Sequence, residues 1–143
     1  MRLSLALILY SLIHVQTTWS ADVALKIGTH SIQAAVARTP QSRETGLMQT
    51  QSLCENCGML FVFPQPGKHS FWMKNTHLPL SIAFIARDGR ILNIDEMQAL
   101  STQSHTAQGD ALYALEMNKG WFKSHAIKPQ FFVQGLQLIT RGE

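Results

Sequence analysis

Short apolar runs separated by turn-forming residues dominate the pattern along this chain. Several runs are rich in β-branched and aromatic residues, and turn signals such as Gly28-Thr29-His30 and Asp88-Gly89 lie between them. This pattern is typical of short strands joined by hairpins and loops. The predicted strands are residues 23–27, 31–37, 58–63, 69–74, 80–86, 91–94, 111–117 and 131–140.

Two short helices are predicted between these strands. Thr39 is suited to cap the first helix because Pro40 follows it at the first helical position. Asn118 is expected to cap the second, which carries Trp121 and Phe122. The polar residues 100–109 are predicted to form a surface loop. Together these elements predict an α+β, mainly β domain, a compact small barrel-like or sandwich-like mixed sheet with two short helices.

The first twenty residues have the pattern of a signal peptide. Arg2 precedes an almost unbroken apolar run over residues 3–15, which is too short to span a bilayer as a stable helix. Small residues favour cleavage after Ser20. We therefore predict a signal peptide at residues 1–20, a single domain at residues 21–143, and export to the periplasm or the extracellular space. An uncleaved N-terminal anchor is the alternative; after cleavage, no membrane span is expected.

Composition excludes some classes of protein. The chain has 143 residues, of which 45% are hydrophobic, and a formal charge of +3. Such a composition can bury a core and differs from that of a disordered chain. The basic residues form no block, so nucleic-acid binding is not expected. No glycine-rich phosphate loop follows a strand, so the sequence gives no support for nucleotide binding.

Cys54 and Cys57 are the only cysteines and are three residues apart. This spacing fits a structural disulfide, a redox pair or half of a zinc site, and an oxidising compartment favours the disulfide. A zinc site would also need ligands such as His69 or His77, but their spacing from the cysteines does not indicate that they are ligands. The methionines form no clustered motif of the kind that binds copper. The sequence therefore predicts no metal site and no cofactor.

The densest run of unusual side chains is residues 69–75, His-Ser-Phe-Trp-Met-Lys-Asn. In a strand, Trp72 and Lys74 would share one face, and Asn75 would follow directly. An indole ring beside an ammonium group and a carboxamide can bind a polar ligand that has an apolar surface, such as a sugar or a peptide end. Alternatively, Trp72 packs and the other two form a solvated strand end. Arg43 and Glu116 are further candidates for the same ligand site.

Several segments of the chain resemble one known family. The matching segments are residues 46–48 (Gly-Leu-Met), 58–64 (Gly-Met-Leu-Phe-Val-Phe-Pro), 69–76 (His-Ser-Phe-Trp-Met-Lys-Asn-Thr), 79–80 (Pro-Leu), 82–85 (Ile-Ala-Phe-Ile) and 113–116 (Tyr-Ala-Leu-Glu). They are similar to DUF192, a family of uncharacterised and often exported bacterial and archaeal proteins. The resemblance covers roughly residues 23–140 and implies a compact, mostly β domain without an established activity.

Two positions depart from the pattern of that family. Ser81 stands where the family usually has Asp after Pro-Leu, and Pro129-Gln130 replaces a Gly-Asp. A family-wide role for either acid would be missing in this chain.

The functional expectation is a ligand- or partner-binding module of the cell envelope. Its partner would be an unknown small molecule or an envelope component. An enzyme acting on an envelope polymer or small molecule is one alternative, and a thiol-redox or copper-binding protein is another.

Overall fold

The computed structural model describes residues 22–139. The predicted signal peptide and Thr140, the predicted end of the last strand, lie outside the described residues. Strands are β1 (Val23–Ile27), β2 (His30–Ala37), β3 (Cys57–Gly67), β4 (Ser70–Phe71), β5 (Leu80–Ala86), β6 (Ile91–Met97), β7 (His105–Thr106), β8 (Ala111–Asn118) and β9 (Val133–Gln134). Helices are α1 (Pro40–Thr45), α2 (Trp121–Ser124) and a 3-10 helix (Leu136–Leu138).

Seven of the strands form one mixed sheet in the order β6-β5-β8-β3-β2-β1-β9. Only β2 and β3 are parallel, and the connection between them carries α1. The other neighbours are antiparallel, and short turns join two of these pairs, β1 with β2 and β5 with β6. Strands β4 and β7 form a separate antiparallel pair. The predicted mainly β fold with a mixed sheet is therefore confirmed.

The C-terminal segment connects the two edges of this curled sheet. Val133 in β9 pairs with Ile27 of β1, and its N–H also donates to the carbonyl of Gly89 at 2.8 Å. Ile91, at the start of β6, donates to the carbonyl of Phe131 at 2.8 Å. One short segment thus satisfies backbone groups at both edges, which explains the barrel-like shape.

Apolar side chains fill both faces of the central strands. Leu115 and Met117 of β8 belong to a first core, and Ala114, the residue before Leu115, belongs to a second core on the opposite face. This alternation follows from the two-residue period of a strand. The second core also contains Phe61 of β3 and Phe84 of β5. Because both faces of β8 are covered there, the side chain of Glu116 on this strand is removed from water.

The helix predictions were right for α1 and partly wrong for α2. Thr39 Oγ1 accepts from the N–H of Ser42 at 3.0 Å, and Ser42 completes a capping box. Asn118, by contrast, is the last residue of β8, and Gly120 occupies the cap position of α2. The side chain of Asn118 instead donates to the carbonyl of Cys54 at 2.9 Å.

Three strand and loop predictions also need correction. The strand expected over residues 69–74 is limited to β4, because the chain turns at Met73, whose N–H donates to the carbonyl of Ser101. The loop 100–109 contains β7, and His105 is buried. The last strand stops before Gly135, whose positive φ of 97° is incompatible with a continuing strand.

No helix in residues 22–139 combines the length and the apolar character needed to cross a bilayer.

Candidate functional site

A cavity of about 570 Å³ lies on the second-core face of the sheet. Its walls come from α1 and the turn after it, from β3 and β8, and from residues 69–76. All five residues predicted as ligand-binding line it: Arg43, Trp72, Lys74, Asn75 and Glu116. Arg43, the run 72–75 and Glu116 are distant from one another in sequence, so the fold is what brings these three parts together. We call this space the Glu116 cavity.

Glu116 is the chemically unusual residue of this cavity. It lies in the middle of β8, opposite Met59 of β3 and Ile82 of β5. Its side chain is almost fully buried, and within residues 22–139 no group hydrogen bonds to its carboxyl oxygens. Burial raises the pKa of Glu116 from its ordinary value of 4.5 to about 8. At neutral pH the group is therefore mostly a neutral acid.

The backbone on both sides of Glu116 is tightly packed. Gly58 of β3 pairs with Met117, and a Cβ atom at position 58 would collide with the Glu116 carbonyl oxygen and the Met117 sulfur. A glycine is thus required for the close approach of β3 and β8. This packing fixes the position from which Glu116 reaches the cavity.

Arg43 is held in place by the chain around it. Its Nη1 group donates to the carbonyl of Arg38 and, at 3.1 Å, to the carbonyl of Val62. Its guanidinium carbon lies 5.7 Å from the centroid of the Phe63 ring. The guanidinium group is therefore positioned before any ligand arrives, and its remaining N–H groups are available for a ligand.

Trp72 and Lys74 form a second charged and aromatic pair. Trp72 is 52% exposed, which is unusual for so large an apolar side chain. The ammonium nitrogen of Lys74 lies 5.2 Å from the centroid of the indole ring. Within residues 22–139 no carboxylate lies at ion-pair distance from Lys74. The pair presents both an apolar surface and an uncompensated positive charge to the cavity.

Asn75 has a left-handed backbone, with φ at 59°. It lies in a turn in which the N–H of Thr76 donates to the carbonyl of Met73 at 3.0 Å, and both of these residues are buried. Asparagine tolerates this conformation better than most residues. Asn75 therefore has a backbone role in addition to any contact that its side chain makes.

The sequence alone did not indicate the aromatic wall of the cavity. His69 stacks on Phe63 with ring centroids 3.6 Å apart, and Phe71 meets the rings of Phe61 and Phe63 edge to face. Glu44 of α1 also lines the cavity. Phe61 and Phe63 were interpreted as parts of a buried strand. Their spacing of two residues places them on one face, which is the signal that could have identified them.

The two cysteines lie outside this cavity. Their sulfur atoms are at disulfide-bonding distance; Cys54 lies in the connection before β3, and Cys57 is the first residue of β3. Asn56, between them, accepts a hydrogen bond from the Trp121 indole N–H at 3.0 Å. Bonded sulfurs are not thiolate ligands, so the half-zinc interpretation loses its basis. In the described part of the chain, no group of three His, Cys, Asp or Glu residues could hold a metal ion.

Ser81, the departure from the family pattern, lies on the other face of the sheet. Ser81 pairs with Met117, whereas the next residue, Ile82, pairs with Glu116. The Ser81 hydroxyl donates to the Glu96 carboxylate at 2.8 Å and accepts from the Gly120 N–H at 2.7 Å. Glu96 also accepts from Gly120 at 3.1 Å. This contact holds the turn before α2 and is separate from the cavity.

Comparison with known proteins places the chain in a family. The family model of DUF192, described as an uncharacterized ACR family, matches residues 23–134. A proposed transcription regulator from Sinorhizobium meliloti 1021 is 31% identical, with a TM-score of 0.78 over 83% of this chain and 98% of that chain. A protein of unknown function from Novosphingobium aromaticivorans DSM 12444 is 33% identical, with a TM-score of 0.75 over 78% and 83% of the two chains. No curated protein matches. The chain belongs to the DUF192 family.

Proposed function

We propose that this protein is an exported ligand-binding domain of the cell envelope and that its ligand occupies the Glu116 cavity. The single observation that carries this proposal is the cavity itself: about 570 Å³, with two cations, several aromatic rings and a buried acid in its walls, and the acid has no hydrogen-bond partner within residues 22–139. Small-molecule sites are concave, mostly apolar and contain a few well-placed polar groups. A polar ligand with an apolar surface fits this description.

Exposed and unpartnered groups in the cavity favour binding over a purely structural role. Lys74 and half-exposed Trp72 contribute little to a core, and a buried carboxyl group without a hydrogen-bond partner is costly to the fold. A ligand that supplies partners for these groups would offset that cost. Such costs are characteristic of binding and catalytic sites.

Export is proposed from the residues at the N-terminus and from the cysteine pair. Residues 1–20 have the charge and apolar pattern of a signal peptide. A disulfide between Cys54 and Cys57 is suited to an oxidising compartment. Cell fractionation with N-terminal mass analysis tests this part. Protein recovered from the envelope with Ala21 as its first residue is expected; uncleaved protein in the cytoplasm would contradict it.

The binding role is tested by screening the full-length gene product, purified as the cell processes it. Sugars, short peptides and small metabolites are added while thermal unfolding is monitored, and the binding site of each hit is mapped from amide shifts in two-dimensional NMR. Shifts at Trp72, Lys74 and Asn75 are expected. Hits that shift only residues around the smaller cavity beside Lys128, about 220 Å³ in volume, would place the site elsewhere.

An enzyme is the second candidate, because a carboxyl group with a pKa of about 8 is suited to transfer a proton near neutral pH. In that case a compound that binds in the cavity would be converted, and Glu116→Gln would abolish turnover while binding remains. Mass spectrometry of each hit after incubation with the protein decides between the two. Unchanged compounds would support the binding role.

The description of one structural neighbour as a proposed transcription regulator concerns that protein. The formal charge of +3 in the present chain is spread along the sequence without a basic block. We therefore do not extend a nucleic-acid role to it.

A further inference from the structure

The charged groups around the Glu116 cavity have an excess of cations. Arg43 and Lys74 line the cavity, and within residues 22–139 neither lies at ion-pair distance from a carboxylate. Besides Glu116, the lining contains one other acidic residue, Glu44, and one histidine, His69. With Glu116 and His69 neutral, two positive charges face one negative charge. An anionic ligand complements this arrangement better than a cationic one.

The buried carboxyl group of Glu116 strengthens the preference for an anionic ligand. The residues opposite it in the neighbouring strands, Met59 and Ile82, bring no charge. Arg43, Glu44, His69 and Lys74, from α1 and from residues 69–76, are the titratable and charged groups that line the cavity around it. None of them hydrogen bonds to it. A neutral carboxyl group has an O–H that can donate to an anion.

The flat rings in the cavity wall indicate which apolar group the anionic ligand carries. The stacked Phe63 and His69 rings and the exposed Trp72 ring are flat surfaces. Aromatic rings pack well against planar or ring-shaped apolar groups. The anchored guanidinium of Arg43 lies beside Phe63, and it can bind a planar carboxylate through its free N–H groups.

Resting on the function proposed above, we infer that the ligand carries a carboxylate next to a flat apolar group. Glu116 donates a hydrogen bond to this carboxylate, Lys74 supplies the opposite charge, and the aromatic rings cover the apolar part. A ligand amine would instead require an ionised Glu116, and a neutral ligand would leave Lys74 without a partner. These two alternatives are outcomes of the test below.

Three small probes of similar shape distinguish the classes: phenylacetate, phenylacetamide and phenethylamine. Each is titrated into the full-length gene product, purified as processed, and amide shifts in the cavity are followed by NMR at about pH 6. Phenylacetate is expected to bind about tenfold tighter than either other probe, since a charge-assisted hydrogen bond contributes at least that much. Lys74→Met should reduce its affinity to that of phenylacetamide. Lys26→Met, which removes an exposed lysine of β1, is the matched control and should change nothing.

The role of Glu116 has a separate readout. Between about pH 6 and about pH 9 the affinity for phenylacetate should fall about tenfold with a midpoint near 8, because the ionised group repels the carboxylate. Glu116→Gln still offers an N–H donor, so this variant should keep the affinity at low pH and lose the decline. A decline that is the same in both proteins would overturn the assignment to Glu116.

Failure of this inference can be told apart from failure of the proposed function. If phenethylamine or phenylacetamide binds in the cavity as tightly as phenylacetate, the carboxylate class is wrong and the binding role stands. If no probe shifts the cavity residues, the carboxylate inference is overturned, and the wider screen decides the binding role. If that screen also finds nothing in the cavity, both are overturned.

Discussion

The ammonium nitrogen of Lys74 lies 5.2 Å from the centroid of the Trp72 indole ring, on the wall of the Glu116 cavity. At an exposed site such a cation–π pair contributes about 0.5–1 kcal/mol. This is too little to explain why a half-exposed tryptophan is held there. The pair is better understood as a surface that is ready for a ligand, with the position of the charge set by the ring.

Replacing Trp72 with alanine should therefore separate binding from stability. We expect Trp72→Ala to lower the free energy of unfolding by less than about 1 kcal/mol, since the side chain is half exposed, and to remove binding of any compound that shifts the cavity residues. Phe132→Ala is the matched control, because Phe132 is also 52% exposed and does not line the cavity. Urea unfolding and NMR titration measure the two effects. A loss of several kcal/mol would show that Trp72 is structural.

Glu116 should make the protein less stable as the pH rises. Its pKa is about 8 in the folded state and 4.5 ordinarily, so the folded state holds the proton more tightly. Titration of this group therefore leaves the free energy of unfolding constant below pH 4.5. The free energy of unfolding falls as the pH rises from 4.5 to about 8, and it levels off above 8. The slope from this group reaches about 1.4 kcal/mol per pH unit. Glu116→Gln should abolish this slope, which urea unfolding across the pH range would detect.

The control for this experiment is Glu44→Gln, since Glu44 lines the same cavity but is exposed. It should retain the slope of the original protein. If Glu116→Gln and Glu44→Gln behave alike, the buried acid does not titrate in this range.

Substitutions of Asn75 should reveal its backbone role. With φ at 59°, alanine at this position is strained by about 1 kcal/mol, whereas glycine is not. We expect Asn75→Ala to lose this amount and Asn75→Gly to stay close to the original stability. Both variants lack the carboxamide, so a contact with the ligand would be lost in both. Equal stabilities of the two variants, measured by urea unfolding, would contradict the backbone role.

The sequence was informative wherever a local rule determines the structure. The Thr39 cap and the hairpin at Asp88-Gly89 depend on neighbouring residues alone. The end of β4 could not be predicted in this way. It depends on a hydrogen bond from Met73 to Ser101, a residue that is distant in the chain.

The candidate site, too, could be predicted where neighbouring residues reveal it and not where it depends on contacts between distant residues. Trp72, Lys74 and Asn75 stand out because an aromatic, a cationic and an amide side chain occur together in one short run. The raised pKa of Glu116 has no local signal, because it results from burial between two strands that pair only in the folded sheet. The stacking of His69 on Phe63 likewise depends on a bend in the chain after β3.

The Cys54–Cys57 disulfide should support the contact between Asn56 and Trp121. Protein recovered without reductant is expected to show no free thiol by mass spectrometry. Reduction should lower the free energy of unfolding by roughly 2 kcal/mol, as expected for so short a loop. It should also change Trp121 fluorescence, since the indole N–H bonds to Asn56 within the loop. Two free thiols in the recovered protein would contradict the prediction.

The last prediction concerns Ser81 and Glu96, which share the Gly120 N–H. Restoring the aspartate that the family usually has, by Ser81→Asp, would place a carboxylate at the buried position 81, next to the carboxylate of exposed Glu96. Like charges at this distance repel, and we expect a loss of about 1–3 kcal/mol at neutral pH. Glu96→Gln should lose about 1 kcal/mol of stability by itself. Combined with Ser81→Asp it should restore stability, because the single remaining carboxylate, at position 81, can then accept from the Gly120 N–H and from the amide introduced at position 96.

Ser81→Asn is the matched control, since asparagine has nearly the volume of aspartate without its charge. It should be more stable than Ser81→Asp at neutral pH, and the difference should shrink in acid, where one of the two carboxyl groups takes up a proton. Urea unfolding of the four proteins in the double-mutant cycle gives the coupling energy. A coupling energy near zero would contradict the expected repulsion between Glu96 and the carboxylate introduced at position 81. Because Ser81 lies on the sheet face opposite Glu116, none of these variants should alter binding in the cavity.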